Sequence, residues 1–176
     1  FWVITADAAN PRDGADYGDY AVEAARGESD VAHWVSLLDG APAECTIPPT
    51  LSTGHSPTGT TSGRSLTIPV DESLRRAINE FAHRTGGTVF TVVHTAIAIL
   101  LNRLGVGDDV VIGTPVANRA PAGATQDYEQ VVGMFVNTLA LRTGIDPTTT
   151  VEELLNATRT ADLDALDHAD VPFDDV

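Results

Sequence analysis

Apolar residues recur at helical spacing over residues 18–38, "GDYAVEAARGESDVAHWVSLL", and predict helix in two pieces. Gly27 interrupts the first piece, Ser29 or Asp30 can N-cap the second, and Asp39-Gly40 supplies the stop. Residues 41–64 are rich in Pro, Thr, Ser and Gly and carry no period, which reads as a linker or a functional loop. The pattern then becomes regular. "SLTIPV" (65–70) predicts a short strand, and residues 71–85 an amphipathic helix with Asp71 near its start and Gly86-Gly87 as its stop. Residues 88–104 are apolar nearly all round, with Val89, Val93, Ala96, Ile97, Leu100 and Leu104 on one face. Their length and polar flanks fit a buried core helix rather than a membrane span. Residues 108–118 read as a central strand, and "VVGMFVNTLALR" (131–142) as a second one. Its alternation places Asn137 on the face of Phe135 and Leu139. A last helix follows "DPTTT", with Thr150 and Glu153 as a capping box, and runs to about Asp167. This element order predicts an α/β fold, a small mixed sheet covered by helices.

Composition narrows the function. Twenty-five acidic residues against ten basic ones leave a formal charge of −15, which repels phosphate backbones and anionic lipid, so neither nucleic acid nor a membrane is an expected partner. All ten basic residues are arginine, so Schiff-base and lysine-base chemistry has no side chain to use. Cys45 is the single cysteine, which excludes an intrachain disulfide and a cysteine-built zinc cluster and favours a reducing, cytoplasmic setting. The chain opens at Phe1 without a leader-like pattern and closes on "DVPFDDV"; both ends read as cut.

Self-sufficient catalytic motifs are absent: no G-x-S-x-G, no Walker loop, no H-E-x-x-H. His55 and Ser56 are neighbours in "GHSPTG", a spacing that rarely gives the geometry of a nucleophile and its base. Asp162, Asp164, Asp167, Asp170, Asp174 and Asp175 match no calcium loop and read as a solvated helix face, so no metal site is expected. His83 and His94 read as structural.

Four stretches taken in order carry a resemblance. "YGDYAV" (17–22), "IGTPVANR" (112–119), "VGMFVNTLALR" (132–142) and "HADVPFDD" (168–175) resemble the fourth to seventh signature motifs of condensation domains of non-ribosomal peptide synthetases. The segments between them agree, so the likeness spans nearly the whole chain. Glu23 departs from the tryptophan usual in the fourth motif, and His33 from the tyrosine common before Trp34.

The resemblance implies one lobe of a two-lobed, chloramphenicol-acetyltransferase-like fold. Residues 1–40 would be a helical remainder of the N-terminal lobe, 41–64 the inter-lobe linker, and 65–176 a C-terminal lobe truncated at its end. It implies an amide-bond-forming acyltransferase that joins aminoacyl or peptidyl thioesters. Its expected partners are donor and acceptor peptidyl carrier proteins with their phosphopantetheine arms, the missing N-terminal lobe and an adjacent adenylation domain; no cofactor would be bound directly. The family's catalytic histidine lies in H-H-x-x-x-D-G, and none of the five histidines here has a histidine neighbour. The chain alone is therefore expected to be inactive. Asn137, Thr138 and Arg119 are the expected substrate-tunnel residues, where an amide can orient an amine or thioester without titrating. Two alternatives stay open: that Asn137 and Thr138 satisfy neighbouring backbone groups, and that Arg119 holds a structural ion pair. Tyr17, Asp19, Tyr20, Gly113, Pro115, Gly133, Asp170, Pro172 and Phe173 are expected to be structural parts of the motifs. A non-catalytic carrier-protein interaction module and part of an epimerisation domain are the alternative functions.

Overall fold

The computed structural model describes residues 15–24, 30–48, 65–119 and 125–176. Gly27, His55 and Ser56 lie outside the described residues, as do residues 49–64 and 120–124 of the two loops. The elements are α1 (Tyr17–Ala24), α2 (Val31–Leu38), α3 (Glu72–Arg84), α4 (Val89–Arg103), β1 (Asp109–Ala117), β2 (Val136–Gly144), α5 (Val151–Asp167) and a 3-10 turn (Phe173–Asp175).

Side-chain caps set most helix starts. Ahead of α1, Asp16 Oδ1 accepts from the Asp19 N–H while Asp19 Oδ2 accepts from the Asp16 N–H, each at 3.0 Å, a reciprocal box built from two aspartates. Asp30 caps α2 through the His33 N–H, Asp71 caps α3 through the Leu74 N–H, and Thr88 caps α4 through the Thr91 N–H. The expected Thr150/Glu153 box opens α5: the Thr150 N–H donates to Glu153 Oε2 and the Glu153 N–H to Thr150 Oγ1. Gly86, at φ 66°, closes α3 as expected, with the Gly87 N–H returning to Ala82 O at 2.9 Å.

The chain forms two compact units, and β1, β2 and α5 contribute residues to both. The first comprises residues 1–39, 113–140 and 165–176; the second comprises 40–112 and 141–164. The first unit's core is aromatic, with Tyr20, Tyr128, Val131 and Phe135 buried together. In the second, α3 packs on α4 at a bend of 102°, and Ala82, Ala98, Val110, Leu141, Leu154 and Leu155 are buried.

β1 and β2 form a two-stranded antiparallel pair. The Asn118 N–H donates to Phe135 O at 2.8 Å and the Ile145 N–H to Asp108 O at 2.7 Å, so the register sets Gly113 opposite Ala140 and Ile112 opposite Leu141. Arg142 reaches diagonally to Asp109, Nη2 to Oδ2 at 2.7 Å.

Three expectations fail locally. Residues 65–70 are extended but form no strand: Leu66 and Ile68 are 83% and 74% exposed, and no described strand pairs with them. Next, β2 starts at Val136 rather than at residue 131. Residues 131–135 bend instead, because Gly133 lies against the Tyr17 ring: a Cβ there would stand 2.1 Å from Tyr17 Cδ2. Lastly, α4 is not buried all round. Its buried residues are Thr91, His94, Thr95 and Ala98, whereas Val89, Val93, Ile97 and Leu100 of the apolar face are exposed. Burial of the polar face is tolerable because its groups are bonded, Thr95 Oγ1 to Thr91 O at 2.8 Å and His94 to Asp162. Among the described residues no single helix is long and apolar enough to cross a membrane.

Candidate functional site

All four signature stretches reach one cavity in the first unit. It measures about 360 Å³ and is lined by Tyr17, Tyr20, Ala21 and Ala24 of α1, Asn118 after β1, Met134 to Asn137, and Asp170 and Pro172. Helical spacing puts Tyr17, Tyr20, Ala21 and Ala24 on one side of α1. The aromatic rings then lock together, Tyr20 with Phe135 at 4.6 Å and Tyr17 edge-on to Phe135 at 5.3 Å between centroids. The Tyr17 hydroxyl donates to Met134 O at 2.8 Å, which fixes the bend that Gly133 makes possible.

Asn137 forms the polar seam of this wall. Its Nδ2 donates to Ala169 O at 2.8 Å and to Val171 O at 2.6 Å, while Oδ1 accepts from the Thr138 N–H at 2.8 Å and the Phe173 N–H at 3.1 Å. Two carbonyls on one end and two N–H groups on the other leave a single consistent orientation for the amide. All four interactions are with backbone, so Asn137 holds the turn after α5 against β2. Asn118 adds a longer bond from Nδ2 to Ala169 O, 3.4 Å. Asp170, Pro172 and Phe173 therefore belong to a segment whose path Asn137 sets.

Arg119 lies behind the same wall. Its Nη1 donates to Tyr128 O and Val131 O, both at 2.8 Å, and its guanidinium sits 4.1 Å from the Phe135 ring centroid. It thus braces the bend at 131–135 through carbonyls and an aromatic face. Thr138, half-buried, gives its N–H to Asn137 and its methyl to the face of Gly113, where a Cβ would stand at 3.7 Å. Asp19 is part of the cap of α1, and Pro115 is exposed on β1.

Two buried phenols of the first unit hold their protons more tightly than an ordinary tyrosine. Burial raises the Tyr20 hydroxyl, with the nearby Tyr17 and Asp170 adding to the shift. Behind it, burial pushes Tyr128 up to about 12, and the Glu23 carboxylate acts in the same direction. Glu23 also accepts from the Thr125 N–H at 3.2 Å and from its hydroxyl. The departure at Glu23 thus supplies a carboxylate that ties α1 to residue 125.

Elsewhere in the first unit, His33 and His168 stack with parallel rings 3.6 Å apart, and His168 Nε2 lies 3.3 Å from Asp30 Oδ2. The Trp34 indole donates to His168 O at 3.1 Å. In the second unit His94 Nδ1 meets Asp162 Oδ1 at 2.8 Å and its Nε2 meets Thr143 Oγ1 at 3.3 Å, all three side chains buried. Asp162 is therefore not part of a solvated helix face: at 4% exposure it is the partner of His94. Three site features escaped the sequence reading: Asn118, Ala21 with Ala24, and the His94–Asp162 pair. An asparagine ending a strand beside Arg119 was the available signal for the first. Small residues on the tyrosine side of α1 were the signal for the second.

Residues 7–176 match the family model described as Condensation domain. Among curated relatives, malpibaldin synthetase of Mortierella alpina is 34% identical over 166 residues, covering 91% of this chain and 3% of that protein. Surfactin synthase subunit 1 of Bacillus subtilis (strain 168) is 34% identical over 164 residues, covering 90% and 4%. Among solved structures, the first condensation domain of the CDA synthetase is similar at 27% identity with a TM-score of 0.63, over 90% of this chain and 34% of that one. The X-domain from teicoplanin biosynthesis, at 22% identity and a TM-score of 0.68 over 89% and 36%, shares the fold. The chain thus spans about a third of the condensation-domain structures it matches and a few per cent of the synthetases. With the family model matching nearly its full length and its four signature stretches meeting at one cavity, this chain belongs to the condensation-domain family of non-ribosomal peptide synthetases.

Proposed function

We propose that this chain is a working part of a domain that joins two carrier-bound substrates. The amine of an acceptor aminoacyl thioester attacks the carbonyl of a donor thioester, a C–N bond forms, the C–S bond breaks, and the thiol of the donor's phosphopantetheine arm leaves. Condensation domains of these synthetases catalyse amide-bond formation. A thioester is already activated, so positioning and a polar group for the developing charges are what the protein must add.

In this reading residues 1–40 belong to the N-terminal lobe, 41–64 join the lobes, and 65–176 belong to the C-terminal lobe. Asn137, Thr138 and Arg119 face or support the substrate path. Asn137 acts there as a positioning residue: with its amide saturated by backbone, it sets the path of residues 169–173. The histidine that takes part in the reaction is supplied by an H-H-x-x-x-D-G segment beyond these residues. Donor and acceptor carrier proteins deliver the substrates, and an adenylation domain loads them.

The observation that supports this reading is the convergence of four separate motif stretches on one cavity. The test is mass spectrometry of dipeptidyl product from carrier-bound donor and acceptor. The chain alone should give none above the uncatalysed background, and Asn137→Ala in the complete domain should lower the rate of product formation. Product from the isolated chain, or an unchanged rate in the variant, would overturn the reading.

A further inference from the structure

The lining of the cavity carries a chemical preference that family membership does not assign. Three aromatic rings, Tyr17, Tyr20 and Phe135, form its wall, with Met134 and Val136, both well exposed, at its edge. Most of its polar lining is already committed. Asn137 spends both ends of its amide on backbone, the Tyr17 hydroxyl donates to Met134 O at 2.8 Å, and Asp170 takes part in an interaction within the protein. The Tyr20 hydroxyl and the Asn118 amide differ. Among the described residues nothing bonds to the first, and the second makes one long side-chain bond, from Nδ2 to Ala169 O at 3.4 Å.

These features select one kind of ligand. The Tyr17 and Tyr20 rings stack at 5.7 Å between centroids, and a further aromatic ring on such a wall gains offset or edge-on contacts that a saturated ring of the same size does not. No Lys, Arg or His is among the described lining residues, and the Asp170 carboxylate repels an anion. Burial keeps the Tyr20 hydroxyl protonated, so at neutral pH it can donate as well as accept. A volume of about 360 Å³ lies at the small end of small-molecule sites. Ala21, an exposed residue of α1, lines the same space with a single methyl group, so side-chain size at this position limits what enters.

We propose that this cavity takes the phenol side chain of an aminoacyl substrate, its ring against Tyr17 and Tyr20 and its hydroxyl bonded to the Tyr20 hydroxyl and the Asn118 amide. The proposal rests on the peptide-bond reading for the identity of the ligand as a substrate side chain, whereas binding itself is read without turnover. The probe is p-cresol, titrated into the chain. Its counterparts are 4-methylcyclohexanol, which keeps the hydroxyl on a saturated ring, toluene, which keeps the ring without the hydroxyl, and 4-methylbenzoate, which is an anion.

Amide NMR shifts should map p-cresol to Tyr20, Asn118 and Phe135, with an affinity about fivefold or more above that of 4-methylcyclohexanol, while 4-methylbenzoate should not bind. Tyr20→Phe should lower the affinity for p-cresol about fivefold and leave that for toluene unchanged, and Ala21→Phe, which fills the cavity from α1, should abolish binding of both. Equal affinity for p-cresol and 4-methylcyclohexanol, tighter binding of the benzoate, or shifts that map away from α1 and residues 134–137 would each overturn the proposal. The ligand series reads the wild-type chain, so a variant that fails to fold leaves the test intact. In the complete domain, equal amounts of tyrosyl and leucyl carrier thioesters, offered first as acceptor and then as donor, should give product favouring tyrosyl about fivefold or more in one of the two positions. Product without preference in either position would overturn the assignment of the cavity to a substrate side chain, whereas no product at all would overturn the peptide-bond reading and leave the binding series to decide on the cavity.

Discussion

Each unit contains a polar side chain in apolar surroundings, and the two are satisfied differently. Asn137 is neutral and spends its amide on four backbone groups, so it fastens one stretch of chain to another and leaves no charge to compensate. His94 and Asp162 are a side-chain pair at 3% and 5% side-chain exposure, with Thr143 on the far ring nitrogen and Asp162 Oδ2 buried without a partner among the described residues. The first arrangement fixes the path of a segment. The second closes only if both partners are present, because a lone carboxylate in that place would be a buried, unpaired charge. The difference teaches which unit tolerates loss of one side chain.

The largest expected effect is therefore in the second unit. His94→Ala should destabilise the chain by about 3–5 kcal/mol in urea unfolding, because it removes a partner of a buried carboxylate. The double change His94→Leu with Asp162→Leu should recover most of that loss. A cost for His94→Ala no larger than that of a surface substitution would break the comparison.

Next in size is Gly133→Ala, whose new Cβ would meet the Tyr17 ring. Displacing the ring costs about 1–3 kcal/mol and should reduce the near-ultraviolet circular dichroism of the tyrosines. The same unit should weaken in alkali. Tyr20 is raised and Tyr128 is pushed up to about 12 from an ordinary value of 10.0, so the folded chain holds protons that the unfolded chain releases. The stabilisation is complete below pH 10 and is lost as pH rises through the folded values, which pH-dependent unfolding will show. The smallest effect is expected on the exposed face of α4. Val93→Thr and Ile97→Thr should change stability by no more than about 0.5 kcal/mol, read from the urea midpoint.

Capping chemistry was the most legible part of the fold. Thr150 with Glu153, Asp71, and Gly86-Gly87 each declare a helix end through local hydrogen bonding, and local rules suffice for them. The family was legible for a related reason, since the motif stretches are short and ordered. The orientation of α4 was not. Val89, Val93, Ile97 and Leu100 outvote Thr91, His94 and Thr95 in any hydropathy count, yet bonds to Asp162 and to the backbone make the polar side the buried one. Nothing within α4 announces a partner 68 positions away. The start of β2 was hidden likewise, because Gly133 matters only once Tyr17 is known to press on it. For Asn137 the alternation marked the position, whereas its four partners come from a turn more than 30 residues downstream and from its own neighbour.

That role rests on one bond that can be read directly. Phe173 gives its N–H to Asn137 Oδ1 at 3.1 Å, on an exposed turn. Amide hydrogen exchange of Phe173, compared between the wild-type chain and Asn137→Ala, is the most direct test of the claim that Asn137 positions this segment. The account predicts clear protection at Phe173 that falls at least about tenfold in the variant, a change of roughly 1.4 kcal/mol or more in opening free energy, while α3 and α4 keep theirs. Unchanged protection at Phe173 in a folded Asn137→Ala chain would contradict it.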